Sequence, residues 1–177
     1  MQDKTISIPF NSQSYLRKQK VVWALILKAV LVSYIIYTLV TLLVLGTGIA
    51  VDTKGGFPII SLLGIIMLIT ILLKYRTLYT TRKSFYAKAR YIADRFQKDA
   101  IVQSYTFTDD ALIYNDQHKE MKLKWVLFEP VTNVKDVILL RTKYDEQIIL
   151  QLSNEDVDAG TYNEILDILT QKTGVNE

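Results

Sequence analysis

The chain has 177 residues, half of them hydrophobic, with a formal net charge of +3 at pH 7 and no cysteine. That length allows one domain of ordinary size, or a smaller one with an appendage. The absence of thiols excludes disulfides, thiolate metal sites, lipobox-type anchoring and cysteine nucleophiles.

The long aliphatic side chains concentrate in Val21–Leu45 and Phe57–Leu73. Residues 1–20 read as a polar segment ahead of the first run, and 21–73 as a transmembrane hairpin with spans at about 21–45 and 57–73. A helix rises about 1.5 Å per residue, so the first run crosses a hydrocarbon layer of about 30 Å with some tilt, while the second is at the short end of the spanning range. The stretch GTGIAVDTKGG, with Asp52 and Lys54, reads as a tight turn between the two. The first run is too long for the apolar core of a signal peptide and has no small-x-small cleavage pattern, so it is expected to be retained.

Basic residues set the expected orientation. Arg17, Lys18 and Lys20 precede the first span and Lys74, Arg76, Arg82 and Lys83 follow the second, which puts both termini of a multi-pass cell-membrane protein in the cytoplasm. Lys28 is the one charge inside the first span, and no acidic residue in either span can pair with it. It reads as a side chain snorkelling to the headgroups or as an intramembrane charge in an ion path or receptor contact. Tyr34, Thr38 and Thr41 share one face of the first span, and Ser61 and Gly64 one face of the second, which is the pattern of helix packing.

Residues 74–100 form a basic juxtamembrane segment in which Leu78, Phe85, Ala89, Ile92 and Phe96 recur at helical spacing. Its position behind a span points to the lipid bilayer as its partner, and no nucleic acid is expected. From Ile101 the period changes to two. Gln103–Thr108, Ala111–Asn115, Met121–Phe128, Val137–Leu140 and Gln147–Leu152 predict about five antiparallel strands, with Tyr105 and Phe107 on one face and Trp125 in the core. Thr161-Tyr-Asn-Glu164 has the spacing of a capping box, followed by an apolar stripe of Tyr162, Ile165, Leu166 and Leu169 that stops at Gly174. The fold class expected is a membrane protein: a two-helix hairpin, a basic helical extension, and a small α+β antiparallel-sheet domain over 101–177 with a terminal helix.

The order YTFTDDALIY, MKLKW, VILLRT and QIILQL, behind two apolar runs and a basic helix, resembles the YcxB-like family of bacterial membrane proteins. The segment Lys122–Trp125 carries the most recognisable element, a tryptophan in the third strand. The resemblance implies a pleckstrin-homology-like domain on a helical hairpin, with no activity assigned to it. SNEDVDAG (Ser153–Gly160) stands where the family has a proline-containing stretch.

No catalytic motif emerges, and no cofactor or metal site is expected. Asp109-Asp110, Asp145-Glu146 and Glu155-Asp156 fall in turns. The single imidazole, His118, reads as a solvated turn residue. Residues 101–177 carry 14 acidic and seven basic side chains, a net of −7, against +10 for residues 1–100. Such a domain is repelled by anionic lipid and nucleic acid, and this speaks against phosphoinositide binding. Leu112, Tyr114 and Phe128 are the expected exposed sheet-face residues for contact with a protein partner. The function expected is a non-enzymatic, membrane-anchored interaction or regulatory module. The alternatives are an immunity protein against a membrane-acting toxin, or an effector-gated membrane disruptor that self-associates through Tyr34, Thr38 and Ser61.

Overall fold

A computed structural model describes residues 3–52, 58–144 and 148–174. Lys54, Asp145, Glu146 and the Asp52 side chain lie outside what is described. The chain divides into two compact units, Met1–Val21 with Ala89–Glu177, and Val22–Lys88.

Among its described residues the first unit holds seven strands, a closing helix, and one end of each of two long helices. Strands β1 (Lys4–Pro9), β2 (Val102–Phe107), β3 (Ala111–Asn115) and β4 (Glu120–Lys124) form one antiparallel sheet in that order. Strands β5 (Thr132–Val134), β6 (Val137–Arg141) and β7 (Ile148–Ser153) form a second. The segment 1–20, expected as a polar lead-in, thus supplies a strand and the start of a helix. Ile6 and Ile8 alternate with Thr5 and Ser7, and this two-residue period buries the isoleucines beside Tyr105. On the opposite face the hydroxyls of Thr5 and Thr106, 101 residues apart in sequence, meet at 2.9 Å.

Register decides the fate of the predicted contact residues. Tyr105 pairs with Tyr114, and Phe107 with Leu112, so Leu112 and Tyr114 point with Tyr105 and Phe107 into the core. Leu112 is 0% and Phe128 2% exposed, which corrects their assignment to an open face. Trp125 is buried as expected, but β4 stops at Lys124 and Trp125–Leu127 turn as a single 3-10 element, well before Pro130. The indole Nε1 donates to the Thr108 carbonyl at 3.0 Å, and Phe128 leans on the ring at 5.8 Å. The break sends Phe128 across to bridge Thr142, so a single long strand becomes a crossing between sheets.

In β6 the run Val137–Leu140 is buried on both faces, as a continuous aliphatic strand should be. The closing helix, Ala159–Thr173, buries Tyr162, Ile165, Ile168 and Leu169. Its N-cap is Asp158, whose carboxylate accepts from the Thr161 N–H at 3.0 Å and the Thr161 hydroxyl at 2.6 Å. Thr161 is therefore the capped residue, because a carboxylate three residues upstream satisfies the free N–H of the first turn.

The long helices are α1 (Ser12–Asp52) and α2 (Ile59–Lys98); the closing helix is α3. Both long helices are long and apolar enough to cross a membrane. Gly46–Asp52, expected as a turn, continues α1. Within the second unit the two helices run antiparallel and closely packed. A Cβ on Gly48 would lie 2.7 Å from the Ser61 nitrogen, and one on Gly64 3.1 Å from the Leu45 Cα. Glycine is required at Gly48, where the facing atoms are backbone, while a side chain at Gly64 would have to displace Leu45. The Tyr34 and Tyr75 rings meet edge to face at 5.5 Å, the Thr38 and Tyr75 hydroxyls lie 3.3 Å apart, and Trp23 packs on Phe85 and Tyr86.

These contacts fix a register. Stepping back along α1 from Leu45 to Tyr34 to Trp23 matches stepping forward along α2 from Gly64 to Tyr75 to Tyr86. The apolar run that ends at Leu73 therefore lies beside the second half of α1, from about Ile36 onward. Val22–Ile35 lies beside the basic stretch Lys74–Lys88. The two apolar runs are offset by about 20 Å of helix.

Candidate functional site

The first unit contains a pocket of about 350 Å³, within the size range of small-molecule sites. Its walls come from the end of β1, the first turns of α1, the last turns of α2, the middle strands of the first sheet, and β7 with the loop after it. Phe10, Ile92, Phe96 and Met121 supply apolar surface. Phe10 packs edge to face on Phe96 at 5.3 Å, and its N–H donates to the Ile101 carbonyl at 2.9 Å.

The polar part is built around two carboxylates. Asp116 opens the β3–β4 turn, where it accepts from the His118 N–H at 2.7 Å, the Lys119 N–H at 2.8 Å and the Tyr114 hydroxyl. His118 itself is exposed in that turn, as expected. Burial alone would raise the Asp116 carboxyl, but these hydrogen bonds outweigh it and hold it below the usual carboxylate range.

Asp156, expected to be a solvated loop residue, is buried. It accepts from Lys18 Nζ, the Ser14 hydroxyl, and the Ser153 N–H and hydroxyl, all at 2.7–2.8 Å. Burial again opposes ionisation, and the Lys18 charge with these hydrogen bonds reverses the balance, so the carboxyl is held low. Lys18 also donates to the Gln151 carbonyl at 3.0 Å, and Gln19 bonds the Gln151 side chain at 2.9 Å. Lys18, counted among the orienting charges, is 7% exposed in an ion pair, because α1 begins against β7. Its neighbour Arg17 pairs with Glu155.

Tyr105 stands apart. The residue is 3% exposed, its ring packs on Tyr114 at 5.2 Å, and among the described residues its hydroxyl has no hydrogen-bond partner. Burial, reinforced by Tyr114, Asp156 and Asp116, pushes its ionisation far above the usual tyrosine range. Tyr114 is also pushed up, by burial and by its bond to Asp116, and Tyr15 at the pocket wall by burial.

The other predicted positions do not converge on this pocket. Lys20, Lys28, Arg76, Arg82 and Lys83 are exposed, and Lys74 sits over the Tyr37 ring at 4.2 Å. In the sheet-bearing unit the most exposed large apolar side chains are Tyr144 at 86% and Val126 at 70%, joined by Lys143, whose Nζ donates to the Val126 carbonyl at 3.0 Å. Among the described residues no group of acidic or histidine side chains is placed to hold a metal ion.

Sequence reasoning missed the pocket because its key pairs are far apart in the chain. The alternation that places Tyr105 and Tyr114 on one face was readable. Nothing local signals that Lys18 meets Asp156. Compared with protein-family models, curated proteins and solved structures, the chain matches none of them.

Proposed function

We propose that this protein is a non-enzymatic recognition module with a regulatory role, anchored in the cell membrane by its helical hairpin. Both termini, with a pleckstrin-homology-like domain, lie in the cytoplasm. Two antiparallel sheets closed by one C-terminal helix support that likeness, and so does the resemblance of the strand order to the YcxB-like proteins. Two helices long and apolar enough to span support the anchor.

The observation that carries the regulatory reading is the composition of the pocket wall. Asn11, Tyr15 and Lys18 belong to the first turns of α1 or to its cap, and Ile92 and Phe96 to the last turns of α2. An occupant would bear on the cytoplasmic ends of both long helices, so binding is coupled to the elements that enter the membrane. A ligand shifts such an equilibrium only by its differential affinity for two arrangements.

The interaction side rests on Val126 and Tyr144, in place of the buried Leu112, Tyr114 and Phe128. In-cell photocrosslinking from Val126 and Tyr144 in the full chain tests it. The expected result is one distinct protein adduct shared by both positions, with none from Leu112. Adducts absent from both exposed positions would remove the interaction reading.

A further inference from the structure

The pocket has an asymmetry of hydrogen-bonding capacity. Its acceptors are engaged: Asp116 takes three hydrogen bonds and Asp156 four, from groups of the protein itself. Its donors are not. Tyr105 is 3% exposed as a residue, its hydroxyl opens on the cavity with no hydrogen-bond partner among the described residues, and the Tyr15 hydroxyl has none there either. Asn11 uses its Oδ1 to cap α1, accepting from the Gln13 and Ser14 N–H groups at 2.9 and 3.1 Å, which leaves its Nδ2 protons to donate elsewhere. A hydroxyl that faces a cavity with no protein partner keeps its proton available to an occupant.

Charge narrows the occupant further. A cation would find aromatic rings, but at Asp116 and Asp156 it would compete with the three and four hydrogen bonds that the protein's own donors already make there. An anion would meet two carboxylates, while Lys18 is already committed to Asp156 at 2.7 Å and Lys119, the other lysine of the lining, lies in the exposed β3–β4 turn. Phe10 and Phe96 offer ring surface on one side, and Met121 and Ile8 aliphatic surface in the same cavity.

We propose that the pocket binds a small, uncharged ring compound bearing hydrogen-bond acceptors, read by donation from the Tyr105 hydroxyl, with Tyr15 and Asn11 as further donors. This deepens, and rests on, the recognition-module reading. A cavity of about 350 Å³ takes a compound of one or two rings.

The test is ligand-observed saturation-transfer NMR on the full-length protein in nanodiscs, with three probes of similar size: nicotinamide, benzoate and benzyltrimethylammonium. Nicotinamide is expected to receive saturation and the two ions to leave it undisturbed in competition. Tyr105→Phe should weaken nicotinamide about 5- to 10-fold, the size of one hydrogen bond, while leaving the melting temperature unchanged, since the hydroxyl bonds to nothing in the fold. Tyr15→Phe gives a smaller loss and serves as the second variant should Tyr105→Phe perturb folding.

Preferential binding of benzyltrimethylammonium would make the site an aromatic cage for cations and overturn the proposal. Preferential binding of benzoate would make it an anion site and do the same. So would undiminished nicotinamide binding in both variants, or no transfer to any probe. These failures leave the crosslinking result from Val126 and Tyr144 untouched, so a wrong ligand class is distinguishable from a wrong function.

Discussion

In the sheet-bearing unit, polar side chains find partners across long stretches of chain. Ser14, Lys18 and Gln19 at the start of α1 bond Asp156 and Gln151, more than 130 residues away. In the hairpin, hydroxyls turn back on their own helix. Thr38, Thr41, Thr47, Thr70 and Thr77 each donate to the carbonyl four residues earlier. The first arrangement specifies which elements meet. The second satisfies hydroxyls locally and leaves pairing to shape, chiefly the glycine approach at Gly48 and Gly64. One unit is specified by polar complementarity and the other by the absence of side-chain volume.

The largest expected effect breaks the polar half of this contrast. Lys18→Ala strands a buried carboxylate, and losing one partner of such a pair costs about 3–5 kcal/mol. Urea unfolding followed by Trp125 fluorescence in a Trp23→Phe background reads the loss, and Lys18→Met with Asp156→Leu should recover much of it. An unchanged midpoint in Lys18→Ala would mean that Asp156 is solvated. The same pair sets an acid limb. The folded Asp156 carboxyl titrates below its unfolded value of about 3.9, so its stabilisation is complete above that pH and fades as pH falls through the lower folded value. Asp156→Asn should flatten the acid limb.

Gly48→Val breaks the shape half. Its branched side chain would meet Ser61 backbone within 2.7 Å and force α1 from α2. Cysteines placed at Tyr34 and Tyr75 in this cysteine-free chain report the spacing, and Gly48→Val should reduce their disulfide yield by roughly twofold or more, as steric separation of packed helices does. An unaffected yield would show that the hairpin does not depend on close approach there.

The helix register gives a finer test. If the hydrocarbon layer is centred where the apolar runs overlap, a lone cysteine at Ile26 should react with a membrane-impermeant maleimide about as fast as one at Arg82. Cysteines at Leu39 and Ile69 should be protected. Protection at Ile26 equal to that at Leu39 would restore Val21–Leu45 as the span and require the helices to slide.

The smallest effect lies at the end of α2. Ala100 holds φ 48°, with its N–H on the Gln97 carbonyl and that of Ile101 on the Phe96 carbonyl, a paired helix stop that favours glycine. Ala100→Gly should stabilise the sheet-bearing unit by about 0.5–1 kcal/mol, seen as a raised denaturation midpoint. A lower midpoint would mean that the alanine methyl packs in a way that offsets the strain.

The strands were readable because a period of two over Tyr105–Phe107, Leu112–Tyr114 and Met121–Leu123 reflects a local geometric rule. Two apolar helices were readable because nothing else accommodates such runs. The pairing of those strands face to face turned Leu112 and Phe128 inward, and no local pattern could tell the inner face from the outer. The crossing at Trp125 depended on an indole bond to Thr108, a partner 17 residues away.

The sequence by itself determined the two long helices, strands β2, β3, β4, β6 and β7, the α3 stripe and the polar turn at His118, because these follow from side-chain spacing and backbone preference within a few residues. The tertiary structure alone decided that β1 closes the edge of a sheet begun at Val102. It likewise placed Lys18 on Asp156, offset the two apolar runs, and left the Tyr105 hydroxyl facing a cavity. Each of these arises from contact between segments 60 to 140 residues apart or from the fit of one helix on another. Such contacts are selected by the free energy of the assembled core, and no window of sequence contains both partners.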